Sequence, residues 1–428
     1  MRIASNERSD DDVNASEMIP PAQAASAPTG GTRKRLKHID AMRPVKQAAV
    51  ISTHALVFFA PLATSSTVVG LIMLTRFSRD AFLFVSACML TYSYKDAARL
   101  NLTHYFKRRF VSVGLPYAAW TVIYYIYTLA TPTSTFPYYS LRVGEIFSAS
   151  GAHYFVHLLT TGYYHLYYLL VIMEFYVLFP LLLLFVRRFA KWHVHLMLAA
   201  VLWQVLYGVL VSSHYFGFHL SGFMQTRLIF SYPVYLVGGV ITALHLDDFH
   251  AWACRYARLI VALTFTSALL GELFVYLARY TGVPVFLRTG SYVFSPMIVP
   301  YNVGAILCVY LLGVFLVSPS RSWRTRSAVS SGSDNSYGVY LSQMLWIPLL
   351  VRVRAHLGVQ IPWEVAAPLA LVTVYSMGYV FTGLFARTPL AKAVSGRGQA
   401  SWGSLLVWRH KPPRRDDTGE GPLNVALE

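Results

Sequence analysis

The chain is 428 residues long, 55% hydrophobic and only 13% charged, with a mean hydropathy of +0.47. Soluble domains carry about 25% charged residues, so this composition excludes an ordinary globular domain and points to repeated passage through a bilayer. Three cysteines without C-x-x-C spacing exclude a disulfide framework and a cysteine-built zinc site, and the +17 formal charge comes with no basic-aromatic module that would mark nucleic acid as the partner.

Residues 1–38 are rich in Ala, Ser, Asp and Pro and too poor in apolar side chains to fold alone, so they read as a disordered polar cytoplasmic tail. Apolar runs follow, centred on 45–59, 81–94, 110–129, 164–186, 194–211, 228–244, 259–277, 297–317, 337–351 and 365–385. They predict an all-α fold, a polytopic membrane bundle of about ten transmembrane helices over 39–386. A shorter run, 68–74, would merge with the second span but for Arg76, Arg79 and Asp80 between them. Lys and Arg cluster at 33–37, 107–109, 187–188, 321–326 and 409–415, on alternate connections. With an even number of spans, that bias places both termini in the cytoplasm, and 387–428 becomes a polar basic cytoplasmic tail. The longest connection on the opposite side, 131–162, holds Phe136, Tyr138, Tyr139, His153, Tyr154 and His157, and its stretch 145–159 predicts a short interfacial helix. Those aromatics suit either a sugar acceptor or an interfacial belt.

Within the first span one spacing stands out. Arg43 and His54 are eleven positions apart, three helical turns plus about 20°, so they share a face with roughly 16 Å between them along the axis. The Arg then sits near one membrane boundary and the His well inside, and both are costly there unless used or paired. Taken singly, Arg43 reads as a snorkelling anchor and His54 as a donor to a neighbouring helix. Glu174 is an intramembrane acid, a functional candidate with structural pairing as its alternative, and His165 lies near the outer end of its span. His193 and His195 lack further ligands at usable spacing, so no metal is expected, and no phosphate-binding glycine loop is present. A transporter or exporter of a polysaccharide or glycolipid would also use buried Arg, His and Glu, but no internal repeat or matched pair of broken spans supports it.

Several segments together resemble a family. Asp40-Ala41-Met42-Arg43 followed by His54 is similar to the first-helix motif of the acyltransferase-3 family of integral membrane O-acyltransferases. Phe82-Leu83-Phe84-Val85-Ser86-Ala87 resembles its second helix, and Phe106-Lys107-Arg108-Arg109 leading to Pro116-Tyr117 resembles the basic start of its third. Tyr164-His165-Leu166-Tyr167-Tyr168-Leu169 with Phe175-Tyr176 and Pro180, and then Ser336-Tyr337-Gly338-Val339-Tyr340-Leu341, complete the set in family order. Departures are Tyr167 for the usual Trp, Ser112 for a frequent Arg, and Ile172 and Met173 where some members carry paired acids.

The resemblance implies transfer of an acyl group, most often acetyl, from cytoplasmic acyl-CoA to a hydroxyl of a glycan or glycolipid. It implies a bacterial inner membrane as the location. Arg43, Arg108 and Arg109, with Asp40, would meet the CoA phosphates and ribose, where guanidinium groups suit phosphate geometry. His54 would serve as general base or acyl carrier, with Glu174 as a helper acid. His165 and Tyr337 would contact substrate. Acyl-CoA, acetyl-CoA above all, is a co-substrate in this scheme. The partners are the bilayer and the glycan acceptor, and no nucleic acid.

Overall fold

The computed structural model describes residues 35–61, 65–95, 100–130, 144, 146–213, 226–280, 298–358 and 360–399. These residues form helices α1 (Lys37–Phe59), α2 (Ser66–Thr75), α3 (Phe77–Tyr94), α4 (Leu102–Ala130), α5 (Ala149–Thr161), α6 (Tyr167–Arg188) and α7 (His193–Ser213). The second half adds α8 (Pro233–Leu244), α9 (Leu246–Arg255), α10 (Ala257–Tyr280), α11 (Val299–Val317), α12 (Trp323–His356), α13 (Trp363–Phe385) and the short α14 (Ala391–Ser395). No strand occurs among the described residues. Leu102–Ala130, Tyr164–Arg188, Ala257–Phe274, Val299–Val317 and Trp363–Phe385 are long and apolar enough to cross a membrane. Their outward faces carry exposed Leu259, Leu263 and Leu270 on α10, and Leu369, Val372 and Val380 on α13. Helices with apolar exteriors satisfy every backbone group internally, as lipid demands. The chain is a multi-pass helical membrane protein.

Helix α1 runs through the middle, packed by α2, α3, α11, α12 and α13. That central position explains how it carries Asp40, Arg43, Lys46 and Gln47, because protein and not lipid surrounds them. Lys46 is 3% exposed and its ammonium lies 3.7 Å from the centroid of the Phe82 ring. A cation over a ring face keeps part of its electrostatic stabilisation when stripped of water.

Two boundaries differ from what composition suggests. The run at 68–74 and the second span are joined through a single helical residue, Arg76 (φ −72°, ψ −16°), with backbone bonds from Arg76 N to Met73 O and from Arg79 N to Arg76 O. Two of the three charged residues there meet groups from other segments: Asp80 accepts from Asn302, and Arg79 lies over the Tyr232 ring. The run at 228–244 divides into a 3-10 turn, Ile229–Ser231, and α8, which opens on Pro233. Proline has no N–H to donate and a preset φ, so it suits the first turn of a helix and not its middle. Helix α8 then presses on α3 so closely that a Cβ on Gly239 would lie 2.5 Å from the Phe84 carbonyl oxygen.

The expected interfacial helix is α5, capped by the Ser148 hydroxyl, which accepts from Gly151 N at 3.1 Å. It is held to α4 by Tyr117, whose hydroxyl donates to the Leu158 and Leu159 carbonyls. Phe136, Tyr138 and Tyr139 lie outside the described residues. Residues 387–399 follow α13 back onto the bundle: Trp120 Nε1 donates to Val394 O at 3.0 Å, and Arg397 pairs with Asp334 at 2.7 Å.

Candidate active site

The shared face of Arg43 and His54 is present on α1, which is helical through both residues. At the Arg43 end, the guanidinium pairs with Asp40 at 3.2 Å, three residues earlier on the same helix. Asp40 is buried and sits in the first turn, where the N-terminal end of the helix dipole favours a negative charge. Tyr176 on α6 stands within electrostatic range of both Arg43 and Arg109, so residues 66 positions apart in sequence converge on one phenol. Arg109 also lies 5.9 Å from the Tyr94 ring and 6.0 Å from that of Tyr176. Tyr337 joins this end, within range of Tyr176, its buried hydroxyl without a hydrogen bond among the described residues. Arg108 points elsewhere and is exposed.

From there a polar and aromatic stripe leads along α1 to His54. Lys46 covers Phe82, Phe82 packs against Tyr340 at 5.9 Å, and Tyr340 meets His165 at 5.1 Å between ring centroids. Tyr340 also donates its hydroxyl to the His165 carbonyl at 2.6 Å. The His165 ring is 3% exposed, edge-on to Tyr124, and its nitrogens approach the Tyr340 and Leu341 carbonyls without reaching hydrogen-bond geometry. Gln47 and Gln343 are fully buried, and neither amide finds a hydrogen-bond partner among the described residues. Unpaired amides are rare in native interiors and are retained where something else is meant to meet them.

At the far end, His54 faces the Tyr164 ring, 5.2 Å between centroids. The Thr53 hydroxyl donates to Thr75 Oγ1 at 2.8 Å, fixing this turn of α1 to the α2–α3 junction. Arg76 at that junction and His165 on the opposite side are both within electrostatic range of His54. Tyr164 is held there by a strained turn. It has φ +34°, and Gly162 just before it has φ +76°, with a Cβ there 2.4 Å from Tyr167 N. Strain of this kind persists only where the surroundings overdetermine it, and it collects at functional sites.

Beside Arg76 lies a second polar knot. Asp80 accepts from Asn302 Nδ2 at 2.7 Å and from Arg79 Nε at 3.4 Å, and Tyr168 donates to the Arg79 carbonyl at 2.8 Å. Sequence reasoning treated Arg76, Arg79 and Asp80 only as a break between spans. Three charges inside an apolar run were the available signal, since such residues inside a membrane are functional by default. Asn302 offered a weaker signal of the same kind.

Glu174, expected as a helper acid for His54, has a backbone partner of its own. Its carboxylate accepts from Ile229 N at 3.1 Å and caps the turn before α8. Among the described residues no group of three His, Cys, Asp or Glu converges in a metal-binding arrangement.

The class these features define is a polytopic membrane helix bundle. A central helix carries a buried Arg-to-His stripe between two charged poles. The family model described as an acyltransferase domain, that of the acyltransferase-3 family, matches residues 36–387, which takes in every helix from α1 to α13. The chain belongs to that family. No curated protein and no solved structure shows a significant match to it.

Proposed function

We propose that this protein moves an acyl group, acetyl in the first instance, from cytoplasmic acyl-CoA to a hydroxyl of a glycan or glycolipid. The observation that carries this reading is the convergence of Arg43 and Arg109 at one end of a buried stripe that ends at His54. Two guanidiniums beside one phenol suit the CoA phosphates. The pantetheine arm carries two amides of its own, and Gln47 and Gln343 are unpaired amides on the helices that line its path. The thioester then reaches His54 while the phosphates stay at the Arg43 end.

His54 takes the proton of the acceptor hydroxyl as its oxygen bonds to the thioester carbonyl carbon. The carbon–sulfur bond breaks, CoA leaves as the thiolate, and the imidazolium returns the proton to it. In a two-step variant a neutral His54 nitrogen takes the acyl group first and the acceptor then displaces it. Glu174 does not assist either route in this scheme, because its carboxylate serves the Ile229 turn. His165, within electrostatic range of that imidazole, is placed to contact substrate. Both termini on the cytoplasmic side, with ten spans, would put the Arg43 pole at the donor face.

The test is alkali-labile ester on surface glycans and lipids, measured by mass spectrometry in cells making the intact protein or His54→Ala at equal level. Loss of one specific acyl mass in the mutant supports transfer through His54. Unchanged esters with altered export of an unmodified compound would replace this reading with a transporter.

A further inference from the structure

We propose that the acceptor is anionic, and that its carboxylate or phosphate group docks on Arg76 beside His54. This rests on the acyl-transfer reading and names the chemical class that reading leaves open.

The first observation is that Arg76 makes no hydrogen bond or ion pair through its side chain with any described residue. Its neighbours are Arg79, Tyr164, Tyr167 and His54, and none of them carries a negative charge in its ordinary state. His54, Arg76 and Tyr164 are each surrounded by protein, yet each keeps accessible surface. An unpaired guanidinium inside a membrane protein is costly, and a bound anion removes that cost.

The second observation is local charge balance. Arg76, Arg79 and Arg227 surround Tyr167, with Arg227 stacked 5.3 Å from its ring centroid. The one carboxylate at this knot, Asp80, is already shared between Arg79 and Asn302. The surplus positive charge therefore sits on the side of Arg76. A neutral sugar hydroxyl could accept from the guanidinium but would leave its charge uncompensated, whereas a carboxylate or phosphate both neutralises it and matches the guanidinium fork.

The donor's own phosphates do not meet this need. Arg43 and Arg109 receive them, and Arg43 is roughly 16 Å from His54 along α1. What must lie at His54 is the thioester carbon, a pantetheine arm away from any phosphate. The anion at Arg76 is thus left to the second substrate, with the Tyr164 ring beside it offering a face to a sugar.

The experiment uses membranes from cells that make the full-length protein, as wild type, His54→Ala, Arg76→Gln or Arg76→Lys at equal level. They are given radiolabelled acetyl-CoA, and the base-labile product is extracted and fractionated on an anion exchanger. The expected result is His54-dependent label in the retained, acidic fraction, its mass separating carboxylate from phosphate. Arg76→Gln should lower that label at least tenfold and Arg76→Lys should recover part of it, while purified Arg76→Gln still binds acetyl-CoA. His54-dependent label in the unretained, neutral fraction would overturn the proposal, as would full labelling by Arg76→Gln. If Arg76→Gln also loses donor binding, the partition of the wild-type product decides alone. Absence of any His54-dependent ester would instead bring down the acyl-transfer reading, and this proposal with it.

Discussion

Individual side chains divide here into those that face a reaction path and those that hold the path in shape, and variants should separate the two. Loss of a general base costs about 10²–10⁴-fold in rate, so His54→Ala should fall by that much in transfer assays with its abundance unchanged. Arg109 approaches Tyr176 alongside Arg43, whereas Arg108 is exposed. A charge-assisted hydrogen bond is worth about 1.5–3 kcal/mol, so Arg109→Gln should raise the acyl-CoA KM roughly tenfold or more. Arg108→Gln should leave it within about twofold, as surface charges do. Sequence reasoning grouped these two arginines as equals, because adjacent residues on a helix point about 100° apart and only packing says which faces inward. Glu174 is the clearest residue-scale difference. Its carboxylate caps the 229–231 turn, so Glu174→Ala should reduce thermal stability by about 1 kcal/mol while kcat stays near wild type.

Among the elements, the turn before α6 and the α2–α3 junction shape the His54 end. Gly162 combines φ +76° with a Cβ position 2.4 Å from Tyr167 N. Gly162→Ala should therefore cost about 1–3 kcal/mol and shift Tyr164, lowering both the melting temperature and transfer. A mutant that melts like wild type would show that the turn carries no such constraint. The helices themselves were largely legible from hydropathy, since each predicted run overlaps a helix. The junction was not legible. Arg76, Arg79 and Asp80 look like a loop in sequence, yet the chain stays helical through them, with Asn302 of α11 bonding Asp80 and Tyr168 of α6 bonding the Arg79 carbonyl.

On the scale of the whole molecule, α1 is the axis around which α2, α3, α11, α12 and α13 pack. Its buried polar residues, Asp40, Lys46 and Gln47, are tolerated because other helices surround them. The proposed ten crossings predict that reporter tags on the N- and C-termini lie on the same side. Green fluorescent protein fused to either end should fluoresce in the cytoplasm. Darkness at one end, with fluorescence at the other, would require an odd number of crossings. The segment 387–399 belongs to this scale too, since α14 and the Arg397–Asp334 pair tie it to α4 and α12. Composition alone made it part of a tail, because two short buried residues, Ala391 and Val394, are too weak a pattern to announce a docked helix.

The sequence by itself determined the membrane class, the run of helices, the family and the Arg43–His54 face, because these depend on composition, local order and helical periodicity. Only the tertiary structure decided which charges meet. It brought Arg109 and Arg43 within range of Tyr176, bonded Glu174 to Ile229 N, and set Arg76 beside His54 with no counterion among the described residues. Electrostatic pairing depends on distance through space, and in a bundle that distance is fixed by helices far apart in the chain.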